Sequence, residues 1–208
     1  SAIEMSFYSK YILSRLNNLG CGSKPIRKQR EKVLPLCRGD VLEIGVGSGL
    51  NFSFYNEKLV SKIYALEPDK EMLRQARSAA DLVNLNISFL LSGAEQIELD
   101  NNSVDTVLLT YTLCSIPNPN LALMEIRRVL KENGQLIFCE HGVAPDSGVK
   151  RLQNIMNYVY PYCAGGCNLN RDIPAILTKN GFQIKQLETM YLPGTPRWLG
   201  FNFWGYAI

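Results

Sequence analysis

A glycine-rich turn beside an acidic residue is the segment of the sequence best suited to bind a ligand. Gly45, Gly47 and Gly49 alternate with other residues directly after the apolar run 41–44, and Glu43 stands two positions before the first glycine. Glycine allows a backbone to turn tightly and to approach a ligand without an intervening Cβ. A carboxylate at that position suits a ligand that ends in a positively charged amino acid group better than it suits a pyrophosphate.

A second acidic residue, Glu67, follows the next apolar run, 62–66, and is itself followed by Pro68. A carboxylate at the end of the second strand of a doubly wound sheet can accept hydrogen bonds from both hydroxyls of a ribose. Leu50 occupies the position where the dinucleotide pattern G-x-G-x-x-G requires glycine, so an NAD-dependent oxidoreductase is disfavoured. The alternative, in which Glu43 is a surface charge and Glu67 only opens a helix, is disfavoured because both acids flank one strand–turn–helix unit.

These residues need a framework of strands and helices, and the hydrophobic pattern predicts one. Short apolar runs that alternate with amphipathic stretches are typical of parallel strands joined by right-handed crossovers. Asp69 and Asn118 are predicted helix N-caps, and Pro119 follows the second of them. We expect strands at 41–44, 62–66, 87–91, 104–110, 135–139, 182–190 and 201–206. We expect helices at 5–19, 26–34, 52–59, after Asp69, after Asn118, at 149–158 and at 172–180, the last with Gly181 as its C-cap.

The glycine turn and the two acids resemble those of the class I S-adenosylmethionine-dependent methyltransferases, over residues 35–208. The resemblance implies S-adenosylmethionine as cofactor, S-adenosylhomocysteine as product, and a doubly wound Rossmann-like α/β fold. We expect a mostly parallel sheet of about seven strands, one of them antiparallel, with helices on both faces. We also expect a single domain over 1–208, with N-terminal lid helices at 1–34, a cofactor-binding half at 35–140, and an acceptor-side insertion with closing strands at 141–208.

The same resemblance assigns the cofactor contacts. The glycine turn would lie against the methionine moiety, and the acid after the second strand would hold the ribose. The segment 92–95 would border the adenine, where Gly93 replaces an aspartate of many relatives, so backbone groups or Glu95 are expected to recognise the base. The expected cofactor contacts are Glu43, Gly45, Gly47, Gly49, Glu67, Pro68, Gly93, Ala94, Glu95, Thr110 and Tyr111.

Three further segments, 112–116, 140–141 and 166–172, resemble the methyltransferase-like thiol S-methyltransferases, which implies a small alkyl thiol as acceptor. Those proteins carry an N-terminal hydrophobic membrane anchor, and the sequence shows no comparable stretch. The stretch 43–50 is also similar to bacterial phosphatidylethanolamine N-methyltransferases. The acceptor therefore stays open between a small thiol, a small amine and a phospholipid amine at a membrane surface. A catalytically inactive scaffold that binds S-adenosylmethionine is a third class of function, and the Gly93 replacement is its only support.

Five residues are candidates for the acceptor side of the site: Tyr8, Tyr11, Cys114, His141 and Asn168. His141 follows the fifth predicted strand, where it could remove a proton or orient the acceptor, and a hydrogen-bonded loop histidine is the equally weighted alternative. Core packing is the alternative for the two tyrosines and for Cys114. For Asn168 the alternative is a turn cap, and the family resemblance alone favours a place in the site.

Composition sets the remaining expectations. The net charge of +3 is spread along the chain, so no nucleic-acid partner is expected. No apolar run reaches the length of about 18 residues that a membrane span needs. Six cysteines and one histidine show no zinc-binding spacing, so we expect no metal, reduced thiols and a cytoplasmic location. Aromatic residues around 158–162 and Trp198 could give peripheral membrane contact, and the oligomeric state stays open.

Overall fold

The computed structural model describes residues 22–208, and its centre is a seven-stranded sheet. The strands are β1 (Gly39–Ile44), β2 (Val60–Leu66), β3 (Ile87–Leu90), β4 (Val104–Thr110), β5 (Leu130–His141), β6 (Ile184–Tyr191) and β7 (Phe201–Ala207). The helices are α1 (Lys24–Val33), α2 (Lys70–Ala80), α3 (Pro119–Val129), α4 (Ser147–Met156), α5 (Tyr160–Cys163), α6 (Ile173–Lys179) and α7 (Arg197–Gly200). The predicted helix at 5–19, with Tyr8 and Tyr11, lies outside the described residues.

The strand order is β3-β2-β1-β4-β5-β7-β6. Strands β1 to β5 pair in parallel, whereas β7 runs antiparallel to both of its neighbours, β5 and β6. The mostly parallel sheet with one antiparallel strand is therefore confirmed. The division of the chain into lid, cofactor half and insertion stays a prediction.

Helices cover both faces of the sheet, which is why its central strands are almost continuously apolar. Successive side chains of a strand point to opposite faces. In β4, Val107 and Leu109 pack with α3 and α6, while Leu108 packs with residues of α2 on the other side. All three are fully buried. This double covering confirms the predicted layers and anchors the strand ends that carry the site.

The predicted helix boundaries are set by local hydrogen bonds. Asp69 Oδ1 accepts the N–H groups of Glu71 and Met72 at the start of α2. Asn118 Oδ1 accepts the N–H of Leu121 at the start of α3. Gly181 follows α6 with a φ of +82°, the left-handed conformation expected of a residue that ends a helix. These caps are confirmed.

Two local predictions were wrong. The helix expected at 52–59 is a single 3₁₀ turn, Phe52–Phe54, because the segment combines aromatic residues, serine and asparagine, which form helices poorly. Strand β5 is longer than expected, so His141 is its last residue rather than a loop residue after it. His141 pairs with Asn202 of β7, and this antiparallel pairing extends the strand.

Close approach of β6 to β7 requires glycine at position 205. A Cβ built on Gly205 would lie 1.9 Å from the carbonyl oxygen of Gln186, a backbone atom that cannot move aside. The ladder between these strands also shifts register between Ile184 and Gln186, next to this close approach. Any side chain at position 205 must therefore push the two strands apart.

We expect Gly205→Ala to lower the free energy of unfolding by about 3 kcal/mol or more, because the methyl group overpacks a buried ladder. Gly148→Ala is the matched control: Gly148 lies in α4 with no atom within 4 Å of its Cβ position. We expect that control to leave stability unchanged or to raise it by about 0.5–1 kcal/mol. Urea unfolding curves measure both, and equal midpoints for the two variants would contradict the close approach.

Candidate active site

A cavity of about 710 Å³ lies at the carboxyl ends of β1 and β4. From β1 the chain winds outward toward β2 and β3, and from β4 it winds toward β5, so this is the switch point where doubly wound sheets bind ligands. One wall is the glycine turn with the segments 66–69 and 93–95. The rest of the wall comes from α1, from the loop after β4, from the end of β5, from residues around α5, and from the β6–β7 connection. Such a volume suits a small organic ligand.

The glycine turn gives the cavity an open stretch of backbone. Gly47 has a φ of +57°, and a Cβ there would meet nothing closer than the Met72 methyl group at 3.4 Å. Gly45 has a φ of +69°, and its Cβ would strike the Thr112 side chain at 2.4 Å. Gly47 therefore leaves space for a ligand, whereas Gly45 lets the turn pack against the loop after β4. Both glycines line the cavity, and Gly49 lies outside its wall.

Glu67 lies in the cavity wall with a fixed orientation. One carboxylate oxygen accepts the N–H of Gly47 and the other accepts the N–H of Asp69, both at 3.0 Å. Each carboxylate oxygen offers about two acceptor sites, so one on each oxygen stays available to a ligand hydroxyl. Burial raises the Glu67 pKa, although these two backbone hydrogen bonds lower it. Pro68 lines the cavity beside it.

Glu43 is placed differently from the prediction. It is fully buried behind the cavity wall, where Asn51 donates to one oxygen at 2.8 Å and Tyr55 donates to the other at 2.7 Å. Asn51 also donates to Thr110 at 2.8 Å and accepts a hydrogen bond from Arg30 at 2.6 Å. Asn51 and Arg30 line the cavity, whereas Glu43 does not. The direct ligand contact expected of Glu43 is thus replaced by control of Asn51, because the side chain points inward from β1.

The segment expected to border the adenine lies in the cavity wall, and its contact with the base stays a prediction. Gly93, Ala94 and Glu95 all line the cavity. Glu95 accepts the N–H of Asn118 at 3.1 Å, which ties this segment to the start of α3. The other carboxylate oxygen of Glu95 lies 3.0 Å from the position of a Gly93 Cβ. A side chain at 93 would therefore crowd Glu95, and the glycine leaves room for both the acid and a ligand.

Thr110 and Tyr111 line the cavity at the end of β4. Tyr111 has a φ of +54°, a conformation that is rare outside glycine and asparagine and that clusters at functional sites. Its hydroxyl donates to Asn202 at 2.8 Å, and its ring stacks on His141 with 6.5 Å between centroids. The tertiary contacts of the Tyr111 side chain therefore hold the strained backbone in place.

A cluster of two thiols and one imidazole forms part of the cavity wall. His141 Nε2 lies 2.8 Å from Cys167 Sγ, and Cys167 Sγ lies 3.3 Å from Cys114 Sγ. All three side chains are buried and all three line the cavity. Burial lowers the His141 pKa, but the neighbouring Cys114 and Glu140 raise it, so that it stands above its ordinary value.

The three side chains could together hold a metal ion, although the sequence predicts no metal. That prediction relied on spacing along the chain, and the three side chains come from the loop after β4, the end of β5 and the loop after α5. Cys167 was not predicted as a site residue, although it lies in the segment 166–172, which resembles the thiol S-methyltransferases. Asn168, the predicted site residue of that segment, does not line the cavity. Its side-chain amide donates to the carbonyls of Cys114 and Gly166.

The fold and the cavity define a class of protein. The strand order, the glycine turn at the switch point and an acid after β2 together describe a class I S-adenosylmethionine-dependent methyltransferase. A family model described as a methyltransferase domain matches residues 42–138. Thiol S-methyltransferase TMT1B of Rattus norvegicus is 31% identical over 174 residues, which cover 81% of this chain and 70% of that protein. The chain therefore belongs to the class I S-adenosylmethionine-dependent methyltransferases, and S-adenosylmethionine is its cofactor.

Two further comparisons agree with the class. A phosphatidylethanolamine N-methyltransferase of Cereibacter sphaeroides is 30% identical over 112 residues, 53% of this chain and 54% of that protein. The crystal structure of an S-adenosylmethionine-dependent methyltransferase from Mesorhizobium loti superposes with a TM-score of 0.67 and 15% identity. It covers 90% of this chain and 99% of its own, which supports the fold. Within residues 22–208, no helix is long and apolar enough to cross a membrane.

The buried carboxyl of Glu43 should make stability depend on pH. Burial raises its pKa from an ordinary value of 4.5 to about 7. Between these values the folded protein keeps a proton that the unfolded chain loses, so the free energy of unfolding falls as pH rises. Glu43→Gln, which can keep its hydrogen bonds to Asn51 and Tyr55, should flatten this slope by up to about 1.4 kcal/mol per pH unit.

Denaturant unfolding at several pH values from 4.5 to 8 measures the slope. The exposed residue Glu57 provides the control, since Glu57→Gln should leave the slope as it is. Part of the slope should remain in Glu43→Gln because burial also raises the Glu140 pKa to about 7. Identical slopes for the wild type and Glu43→Gln would show that Glu43 ionises normally in the folded protein.

Proposed function

We propose that this protein transfers a methyl group from S-adenosylmethionine to the sulfur of a small thiol. The observation that carries the proposal is the position of His141, whose imidazole lines the cavity and lies at hydrogen-bond distance from a sulfur atom, that of Cys167. An imidazole so placed can accept the proton of an acceptor thiol. The ordinary thiol pKa of about 8.5 is close enough to neutrality that a nearby base produces the thiolate readily. The named thiol S-methyltransferase relative supports the same acceptor class.

The residues of the glycine wall fit the cofactor. The open space at Gly47 admits a ligand against bare backbone, and each oxygen of Glu67 keeps an acceptor site for a ribose hydroxyl. The segment 93–95 would border the adenine. S-adenosylmethionine, when bound, supplies a methyl group on a sulfonium. Its sulfur leaves as a neutral thioether and needs no acid to protonate it.

The chain must also align the acceptor with the methyl group and exclude water from the cavity. Three apolar side chains line the cavity: Leu192 and Leu199 from the β6–β7 connection, and Ile116 from the loop after β4. The positive charge of Arg171 lies close enough to Cys114 and Cys167 to interact electrostatically with both. An anionic acceptor is favoured near such a cation. Holding two reactants in line can lower a barrier by about 7–11 kcal/mol, so no covalent intermediate is needed.

A second candidate acceptor is the amine of a phospholipid at a membrane surface. Exposed apolar side chains on and after α4, Ile155, Tyr158, Val159 and Tyr162, favour it. They lie next to Tyr160, which lines the cavity and packs edge-on against Trp198. An apolar surface beside a cavity mouth could place the protein on a bilayer.

An acceptor screen separates these candidates. We expect release of S-adenosylhomocysteine with an alkyl thiol and with hydrogen sulfide, and none with a small amine or with phosphatidylethanolamine vesicles. His141→Asn should lower kcat for the thiol by about 100-fold or more without changing S-adenosylmethionine affinity, because only the acceptor side has lost a group. Turnover of the amine or the vesicles alone would overturn the thiol proposal. Cofactor binding without turnover of any acceptor would favour an inactive scaffold.

The ribose role of Glu67 has its own test. Glu67→Gln replaces one acceptor oxygen by a donor that faces a backbone N–H, so we expect S-adenosylmethionine affinity to fall by about tenfold or more. Glu188→Gln, a change at an exposed carboxylate of β6, is the control and should leave affinity unchanged. Isothermal titration calorimetry measures both. Equal affinities would remove Glu67 from the cofactor site.

A further inference from the structure

The thiol–imidazole cluster has the composition of a metal site. Cys114 Sγ, His141 Nε2 and Cys167 Sγ come from three separate segments, and their ligand atoms all lie within 4.8 Å of one another. Two thiolates and one imidazole are a ligand set typical of zinc. Catalytic zinc commonly has three protein ligands and keeps a fourth position for water or substrate, as in Cys₂His sites. A structural site would need a fourth protein ligand.

The distances within the cluster are close to those that zinc requires. Tetrahedral zinc with ordinary bond lengths holds two sulfur ligands about 3.8 Å apart, and a sulfur and a nitrogen ligand about 3.5 Å apart. The corresponding separations here are 3.3 Å between the sulfurs and 2.8 Å between Cys167 Sγ and His141 Nε2. Each of these two pairs must therefore separate by less than about 1 Å to admit an ion, and the third pair, Cys114 Sγ and the His141 ring nitrogen, lies within 4.8 Å.

The two cysteine-bearing loops are fixed against each other by hydrogen bonds. The backbone N–H and the side-chain amide of Asn168 donate to the Cys114 carbonyl at 3.0 and 3.1 Å. Arg171 donates to the Leu113 carbonyl, next to Cys114. The buried carboxylate of Glu140, next to His141, accepts the N–H groups of Thr112 and Leu113 at 2.8 and 2.9 Å. Metal sites depend on such supporting contacts to hold their ligands in place.

The open coordination position of the ion would face the cavity. All three ligands line the same cavity as Gly47 and Glu67. We propose that Cys114, His141 and Cys167 bind one zinc-class divalent ion, whose fourth position takes the sulfur of the acceptor. The binding of the ion rests on the cluster alone, whereas its role toward the acceptor rests on the proposed thiol function.

The ion would change how the acceptor thiol becomes a nucleophile. The thiol binds the ion as a thiolate and releases its proton to solvent, since a coordinated thiol is deprotonated. A thiolate electron pair then forms the new S–CH₃ bond while the sulfonium S–CH₃ bond breaks, and the released pair stays on the sulfur of S-adenosylhomocysteine. The methylated product is a neutral thioether, a weaker ligand than a thiolate, so it leaves. In the zinc-bound protein His141 is a ligand and the proton goes to solvent, whereas in the metal-free protein His141 is the base described under the proposed function.

The test measures metal directly, on the full chain purified without a histidine tag and under reducing conditions. After incubation with zinc and desalting, elemental analysis should find about one zinc per chain in the wild type. Cys114→Ser and Cys167→Ser should each hold less than about one fifth of that amount. Cys163→Ser is the matched control, since Cys163 is exposed and lies outside the cavity wall, and it should bind zinc like the wild type.

Cobalt substitution reports the ligands and the open position without turnover. The cobalt form should show thiolate-to-cobalt absorption that is lost in Cys114→Ser and Cys167→Ser, and addition of an alkyl thiol should change the spectrum. Calorimetric binding of S-adenosylmethionine to every variant verifies that it is folded. Zinc content in the folded wild type that is no higher than in the two cysteine variants would overturn the site. A disulfide between Cys114 and Cys167 in reducing buffer, found by mass spectrometry, would overturn it as well.

The two proposals can fail separately. If chelated, metal-free protein methylates thiols at the full rate, the role of the ion is overturned and the thiol function stands. If the protein binds zinc and the cobalt spectrum responds to thiols, but methyl transfer occurs only to amines, the thiol function fails and the metal site stands. A loss of thiol methylation by at least about tenfold on chelation, restored by zinc and not by magnesium, is the result we expect.

Discussion

The parallel pairing of β1 with β4 is the constraint on which the site depends. Its register, from Val41 opposite Thr106 to Ile44 opposite Leu109, brings the glycine turn level with the loop that follows Thr110. The two strands lead to crossovers on opposite sides, so the sheet opens a crevice at their carboxyl ends. Gly45 packs against Thr112 at this junction with no room for a Cβ. A shift of one residue in this register would turn every side chain of β1 to the other face.

Two buried carboxyls, one on each of the strands that flank β4, both hold loops at the carboxyl edge of the sheet. Glu43 in β1 orients Asn51 and Tyr55 beneath the glycine turn, and Glu140 in β5 accepts the backbone N–H groups after Tyr111. Burial raises the pKa of each to about 7. Neither residue lines the cavity. The chain thus uses the costly burial of acids to fix its loops, whereas the glycine-turn backbone and the amide of Asn51 line the cavity.

The sequence was informative where the signal is local. The glycine turn, the acid at Glu67 and the caps at Asp69 and Asn118 follow from residue type and nearest neighbours, and the alternation of strands and helices gives the layers. The position of Glu43 could not be predicted, because Asn51 and Tyr55 reach it only after the chain has turned back. The Cys114–His141–Cys167 cluster joins residues 27, 26 and 53 positions apart, and no linear spacing encodes that convergence. The 3₁₀ turn at 52–54 shows that residues of poor helix propensity do not form a helix on a weak periodic pattern alone.

The insertion of β7 between β5 and β6 has a consequence for the order of assembly. Strand β6 pairs with β7 and not with β5, although it comes before β7 in the chain. The outer edge of β5 therefore carries unpaired backbone groups until β7 docks, and β6 can join the sheet only with it. Asn202 of β7 supplies the acceptor for the Tyr111 hydroxyl. The cavity wall is consequently complete only when β7 has docked, because Leu192 and Leu199 of the β6–β7 connection and the Asn202 partner of Tyr111 come into place with it.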